Sequence, residues 1–294
     1  MSAPVLVLGG TGRLGRAVTA ELTRRGRSYD APSRAEFDLS ASASVAGLLD
    51  TLDPDAVVNL VGFTDVAAAE RPENAEAAIA LNVSLPAALA RACARLAIPL
   101  VHISTDFVFD GAQSRPYLEG DAVHPLQVYG ATKLEGESAA LARNPNVLIL
   151  RVATLYGPGR PESPSYVDAI LRQARSCAAG GGVLEVVETP VSSSTYAADA
   201  APALVELLDL GVTGIVHVVN DGAASRLELA RATVSLAGLA DRVTVRSRPE
   251  QETGLRRPAY SVLDTSKLHR VLGRKLPPWK DALGRSLGES TING

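Results

Sequence analysis

A chain of 294 residues has room for one large domain or two small ones, with an ample core. Its composition, 46% hydrophobic and only 4% aromatic, is that of a globular protein, and two cysteines, Cys93 and Cys177, support neither a disulfide framework nor a zinc site. A formal net charge of −3 without any basic block argues against nucleic acid as a partner, and the scattered acids mark no metal site.

Met1-Ser2-Ala3-Pro4 carries no basic segment, and the apolar run Val5-Leu6-Val7-Leu8 behind it is too short for a signal peptide or a membrane span. A cytoplasmic protein with no membrane partner is the expectation. The same run reads as a strand buried on both faces. Gly9-Gly10-Thr11-Gly12-Arg13-Leu14-Gly15 follows at once, ahead of a helix over 16–25. Gly10, Gly12 and Gly15 fit G-x-G-x-x-G; Gly9, Gly12 and Gly15 fit the G-x-x-G-x-x-G variant. Without Cβ atoms the turn can be tight, and the backbone can approach a pyrophosphate at the helix N-terminus. Strand before and helix after make this a dinucleotide-binding turn.

A second strand is expected over 28–32. An acid at its end would bond the ribose 2′-hydroxyl, whereas an arginine accommodates a 2′-phosphate. Ser33 and Arg34 occupy that end, and the polar segment with Asp38 and Leu39 beyond it is a loop to border the adenine. Arg34 points to NADPH, with NADH as the alternative. Residues 56–61 form another buried strand, and ligands of a parallel sheet lie at the carboxyl ends of its strands. Val61, Gly62 and Thr64 should therefore border the cofactor. An alanine-rich helix over 73–96 carries one polar residue of note, Asn82.

The next strand, 99–103, ends in Ser104-Thr105-Asp106, where a hydroxyl can hydrogen-bond a substrate carbonyl or cap the strand. His102 reads as a core histidine and His124 as a loop residue, without chemistry. Tyr129-Gly130-Ala131-Thr132-Lys133 then opens a helix. The four-residue spacing of Tyr129 and Lys133 puts both on one helical face. A phenol has an unperturbed pKa of roughly 10, and a nearby ammonium favours its ionised form. Such a pair suits protonation of a carbonyl oxygen while hydride arrives at the carbon. Residues 147–152 are one more strand.

Beyond this point the pattern is less regular. A helix is expected over 166–179, a strand over 183–187, a helix over 195–208, a sheet strand over 214–219, a helix over 227–239, a small strand over 243–245, and a helix start at 264–268 with Asp264 or Thr265 as its cap. The fold class is α/β, a doubly wound parallel (Rossmann) sheet with a smaller C-terminal lobe. Residues 1–153 form the dinucleotide-binding domain, completed by about 184–220. Residues 154–183 and 221–294 form the substrate-binding lobe.

The glycine turn, Asn82, Ser104-Thr105 and Tyr129-x-x-x-Lys133, in this order, resemble the extended short-chain dehydrogenases/reductases. Residues 54–64, 104–111, 128–137 and 257–268 narrow the resemblance to the dTDP-4-dehydrorhamnose reductases, over nearly the whole chain. That family reduces a dTDP-linked 4-keto-6-deoxyhexose with NAD(P)H, so the resemblance implies a nucleotide-sugar substrate. It further implies that Tyr129 protonates the ketone oxygen, that Lys133 binds the nicotinamide ribose and that Thr105 bonds the ketone. Phe107, Thr154, Tyr166 and Arg257 become candidates for contacts to the sugar or diphosphate. The chain departs from the family at Phe107, often tyrosine, at Thr154, often tryptophan, and at 188–195, which keeps little of the usual Gly-x-Pro-Thr. A homodimer through the long helices is common in the superfamily. Two non-catalytic alternatives stay open: an NADP-binding regulatory subunit like the β subunit of methionine adenosyltransferase, and a redox-sensing module. A complete Thr105, Tyr129, Lys133 set leans against the first, and the lack of a basic segment against the second.

Overall fold

The structure is a computed structural model and describes residues 3–33, 44–180, 182–249 and 255–292. Arg34, Asp38 and Leu39 lie outside the described residues. The first half runs β1 (Val5–Leu8), α1 (Arg13–Arg24), β2 (Tyr29–Asp30), α2 (Ser44–Leu52) and β3 (Ala56–Asn59). Short helices α3 (Val66–Ala69) and α4 (Ala75–Ile79) lead through a π-turn, Ala80–Ser84, into α5 (Leu85–Leu96). β4 (Leu100–Thr105), α6 (Val128–Arg143) and β5 (Leu148–Val152) complete this half. The second half runs β6 (Leu155–Tyr156), α7 (Tyr166–Gly180), β7 (Val183–Val187), β8 (Val191–Ser192), β9 (Thr195–Tyr196), α8 (Ala197–Asp209) and β10 (Gly214–His217). It ends with β11 (Ala224–Ser225), α9 (Arg226–Leu236), β12 (Thr244–Arg248), β13 (Tyr260–Ser261), α10 (Ser266–Leu272) and α11 (Trp279–Ile292).

Six strands form one parallel sheet in the order β10-β5-β4-β3-β1-β2. Its residues feed two cores in alternation. Val5 and Val7 pack with Leu14, Val18 and Leu22 of α1 and with Leu204 and Leu208 of α8. Leu6 and Leu8 pack with Leu49 of α2 and with Leu85 and Leu89 of α5. A strand covered on both faces has no wet face to show, which is why these runs are continuously apolar. The doubly wound sheet is therefore as the sequence predicts.

A second core joins Ile170 of α7, Ala230 of α9 and Leu283 of α11, a helix that the sequence reading does not anticipate. Strand β7 belongs here. It pairs in parallel with β12 rather than with the large sheet, and buries Leu184 and Val186 in the second core. Its exposed partners Val183 and Glu185 give it one wet face, which a sheet covered on both sides cannot accept. The chain returns to the large sheet only with α8 and β10. A small sheet, β11-β8-β13, adjoins the loop after β4, where Ser261 of β13 bonds Asp106.

The stretch Pro72–Leu96 is long and apolar enough to cross a membrane, but 61% of its apolar window is buried inside this fold. Pro86 has no N–H to offer the Asn82 carbonyl one turn back, and the π-turn absorbs the mismatch, with Leu85 N–H bonded to Ala80 O instead. Helix α6 approaches that freed carbonyl. A Cβ on Gly136 would stand 1.9 Å from Asn82 O, so only glycine allows the two helices to come this close. One turn of α6 is then fixed to the sheet by an ion pair. Arg151 of β5 donates from Nε and Nη2 to the two oxygens of Glu137 at 2.9 and 2.6 Å, and both residues are 2% exposed.

Glu137→Gln would leave the Arg151 guanidinium buried without its counter-charge. The expected loss is about 3–5 kcal/mol in urea unfolding, and Glu137→Leu with Arg151→Met should recover most of it. A single variant as stable as the parent would contradict this role for the pair.

Candidate active site

The glycine turn, the end of β3 and the first turns of α6 are neighbours. Gly9 lies against the Leu60–Val61 backbone, and a Cβ on Gly62 would stand 3.7 Å from Lys133 Nζ. Within the turn, Gly12 N–H donates to Gly9 O at 2.9 Å. A Cβ on Gly15 would fall 2.1 Å from Gly9 O, so α1 packs directly on the turn. Gly12 caps α1 without a side-chain bond, and no acid lies in its first turn. The helix N-terminus therefore keeps amides and positive dipole for an anion, which fits a dinucleotide pyrophosphate.

Other predicted cofactor residues are placed differently. Leu14 buries its side chain in the core. Thr11 is exposed, and its carbonyl accepts a bond from Arg16 Nε at 3.1 Å. Arg13 reaches into the second half of the chain: its guanidinium donates to the carbonyls of Gly157 and Ser163 and lies 3.2 Å from the Asp168 carboxylate. It clasps the glycine turn to the 157–168 segment. Ser33 follows β2 in irregular chain, and Thr64 is exposed just beyond Gly62. Val61 N–H is held by Asn59 Oδ1 at 3.1 Å.

Asn82 is completely buried. Its Oδ1 accepts from Phe63 N–H at 2.8 Å, and its Nδ2 donates to Phe63 O at 3.2 Å and to Thr132 Oγ1 at 3.0 Å. One amide thus ties the loop after β3 to the helix that carries Tyr129 and Lys133. Lys133 is 2% exposed, and its Nζ donates to Ile103 O at 2.6 Å. Burial pushes the ammonium down to about 8, while the Glu137 carboxylate one turn on pulls the other way. His102 is buried beside it and takes a bond at 3.1 Å from Asn59 Nδ2 through Nδ1. Burial and the Lys133 charge keep that imidazole neutral, well below its ordinary value.

The Tyr129 phenol is pushed up to about 12, by burial first, with the Thr105 hydroxyl pulling it back and the Asp106 charge pushing it further. Tyr129 is therefore held in its acid form, with the Thr105 side chain converging on the same oxygen. The Phe107 ring stands edge-on to Tyr129, centroids 6.0 Å apart. Thr105 Oγ1 donates to Asp106 Oδ1 at 3.1 Å and accepts from Phe107 N–H at 3.2 Å. Asp106 is 3% exposed, and burial raises its carboxyl to about 6 against the bonds from Ser261 and Thr105.

The predicted sugar-side residues Thr154, Tyr166 and Arg257 meet residues of the second half. Thr154 has φ 39°, a left-handed conformation that costs a β-branched residue on the order of 1–3 kcal/mol, and its hydroxyl lies 3.2 Å from Ser192 Oγ of β8. Ser192 pairs with Ser261, which in turn bonds Asp106, so Thr154 is tied to the same small sheet as the Thr105 loop. The Tyr166 hydroxyl donates to Arg226 O at 3.0 Å, and the Arg226 guanidinium stacks on its ring at 4.5 Å. Arg257 is exposed and near enough to Arg226 for their charges to repel. Asp106, Ser261 and Arg226 are additions that sequence reading does not supply. Asp106 directly follows Thr105, which is its one sequence signal. Ser261 and Arg226 reach the site only through the fold.

The profile of the RmlD substrate binding domain family matches residues 3–292. The chain belongs to this family. A dTDP-4-dehydrorhamnose reductase of Mycobacterium tuberculosis is 36% identical over 292 residues, covering 96% of this chain and 92% of that protein. A dTDP-4-keto-6-deoxy-D-glucose reductase of Streptomyces niveus is 35% identical over 263 residues, covering 88% of this chain and 87% of that protein. The crystal structure of a dTDP-4-dehydrorhamnose reductase from Bacillus anthracis in complex with NADP superposes with a TM-score of 0.89 at 26% identity, covering 98% of this chain and 100% of that one.

Asn82→Leu keeps the volume but strands Phe63 N–H and Phe63 O and removes the amide's bond to Thr132 Oγ1, which keeps its own bond to Tyr129 O. An unmade buried bond costs about 1–3 kcal/mol, so a melting temperature lower by roughly 5–10 °C is expected, together with weaker NADPH binding. An unchanged melt and unchanged affinity would show that Asn82 does not hold the α6 turn.

Proposed function

We propose that the protein is an NADPH-dependent reductase of the 4-keto group on a dTDP-linked 6-deoxyhexose. The observation that carries this reading is the convergence of Thr105 on the acid-form phenol of Tyr129, with the buried ammonium of Lys133 one turn further along the same helix. The two relatives named above are both reductases of dTDP-linked keto sugars, which favours turnover over a purely regulatory role.

Bound NADPH supplies the hydride. The amides at the α1 N-terminus hold its pyrophosphate, and Arg34 takes the 2′-phosphate. Lys133, now bonded to Ile103 O, would hold the nicotinamide ribose. Thr105 fixes the ketone oxygen beside Tyr129, whose O–H bond breaks as the proton passes to that oxygen. The phenolate that forms is stabilised by the Lys133 charge across the helix face. Phe107 and Thr154 line the sugar side, with Tyr166, Arg226 and Arg257 toward the diphosphate. With no phenol at 107 and no indole at 154, this pocket should differ in polarity and volume from one that carries them, which suits a related 4-keto-6-deoxyhexose as well as dehydrorhamnose.

Tyr129→Phe removes the acidic hydroxyl and little volume. A positioned general acid is worth about 10²–10⁴-fold, so the loss should sit in kcat while NADPH affinity stays close to that of the parent. Full ketone reduction by this variant would sink the mechanism. The pH dependence has a definite sign. Lys133 is charged below about 8 and loses its proton as pH rises through that value, so reduction should decline on the alkaline side. Arg34→Ala should weaken NADPH more than NADH; equal losses would mean that Arg34 does not read the 2′-phosphate.

A further inference from the structure

The proposed mechanism asks Thr105 to donate a hydrogen bond to the ketone, yet its one hydrogen is already committed. Thr105 Oγ1 donates to Asp106 Oδ1 at 3.1 Å and takes Phe107 N–H at 3.2 Å. What remains toward Tyr129 is a lone pair. With Asp106 ionised, Thr105 can accept from the phenol but cannot donate to a ketone.

Asp106 is enclosed by groups from four elements. Thr105 comes from β4, Tyr129 from α6, Ser261 from β13, and the Arg226 charge from the start of α9. Ser261 is fully buried, and its hydroxyl has one partner among the described residues, Asp106 Oδ2 at 2.6 Å. Its hydrogen must point at Oδ2. A proton added to the carboxyl therefore belongs on Oδ1, the oxygen that faces Thr105. There it would donate to Thr105 Oγ1, and the Thr105 hydrogen would turn to the ketone.

We propose that Asp106, with its proton steered to Oδ1 by Ser261, is a positioning residue that sets the direction of the Thr105 hydroxyl, so that the protonated acid makes Thr105 a donor to the ketone and the carboxylate makes it an acceptor only. This rests on the reductase reading. No atom of Asp106 need touch the substrate, since it acts through Thr105. The switch occurs near the carboxyl's raised value of about 6, well apart from the Lys133 decline.

The test is the pH profile of kcat/KM for ketone reduction between pH 5 and 7.5, by initial rates of NADPH oxidation. The parent should lose about ten-fold across this window, the worth of one hydrogen bond to the ketone. Asp106→Asn places an amide donor against Thr105 at every pH, so its profile should be flat at the parent's acid level. Thr105→Val should be flat at the lower level. A decline that persists in Asp106→Asn, or an Asp106→Asn protein at the lower level throughout, overturns the proposal. A parent that reduces no dTDP-linked 4-keto sugar would be a failure of the reductase reading instead. The direction of the Thr105 bond is then read without turnover, from the infrared carboxylic-acid band that Asp106→Asn removes. Its titration should move to higher pH in Thr105→Val, which loses a donor to the carboxylate. An identical titration in both proteins contradicts the proposal.

Discussion

Burying an ammonium is the constraint on which the site depends. Lys133 is withdrawn from water, and its direct bond is to one neutral carbonyl, Ile103 O. A charge in that position would discharge unless something nearby offset the desolvation. The offset is Glu137, one turn along α6, and Glu137 is itself held in place by the two-pronged bond from Arg151. Lys133 and Glu137 on the inner face of α6 and Arg151 on the neighbouring strand β5 alternate in charge. Seating that face requires α6 to lie hard against the sheet and against the π-turn at Asn82. Gly136, Pro86 and the Asn82 amide are the pieces that let it do so. Placement of Tyr129 follows from the same seating, because it sits one turn before Lys133 on the same face.

The second half of the chain does more than cover this site. It completes the hydrogen bonding of the first half at named points. Ser261 satisfies Asp106 beneath Thr105, Ser192 meets Thr154, and Asp168 with two carbonyls takes Arg13 of the glycine turn. A shift of the second lobe would therefore reach both the Thr105 loop and the glycine turn. The strained backbone at Thr154 lies on this seam, beside Ser192 of β8. The positions of Thr154, Asp106 and Arg13 are in this way set by one interface.

How much of this the sequence reveals depends on the range of the interaction. The runs at 5–8, 56–61 and 147–152, apolar except for Asn59 and Arg151, identify strands buried on both faces, because covering both faces removes any alternation. Tyr129 and Lys133 are legible because a helix converts a four-residue spacing into a shared face. Asn82 is half legible: its polarity stands out in an alanine-rich helix, but its partners, Phe63 and Thr132, are distant in the chain. The pairing of Pro86 with Gly136, one freeing a carbonyl and the other approaching it, would have been a usable clue. Strand 183–187 resists assignment by hydrophobicity alone, although Glu185 in its centre already argues for one wet face. The bond between Asp106 and Ser261 spans 155 positions and follows no periodic pattern, so the fold alone brings the two together.

The central claim is that this assembly transfers hydride to a sugar ketone rather than merely holding a dinucleotide. The most direct measurement is the fate of a label. NADPH carrying deuterium at the transferable position of nicotinamide C4 is incubated with the protein and dTDP-4-dehydrorhamnose or dTDP-4-keto-6-deoxyglucose, and the sugar product is read by mass spectrometry and NMR. The account predicts one deuterium per product molecule, located at sugar C4. A dinucleotide that binds tightly yet leaves both sugars unlabelled and unreduced would contradict it.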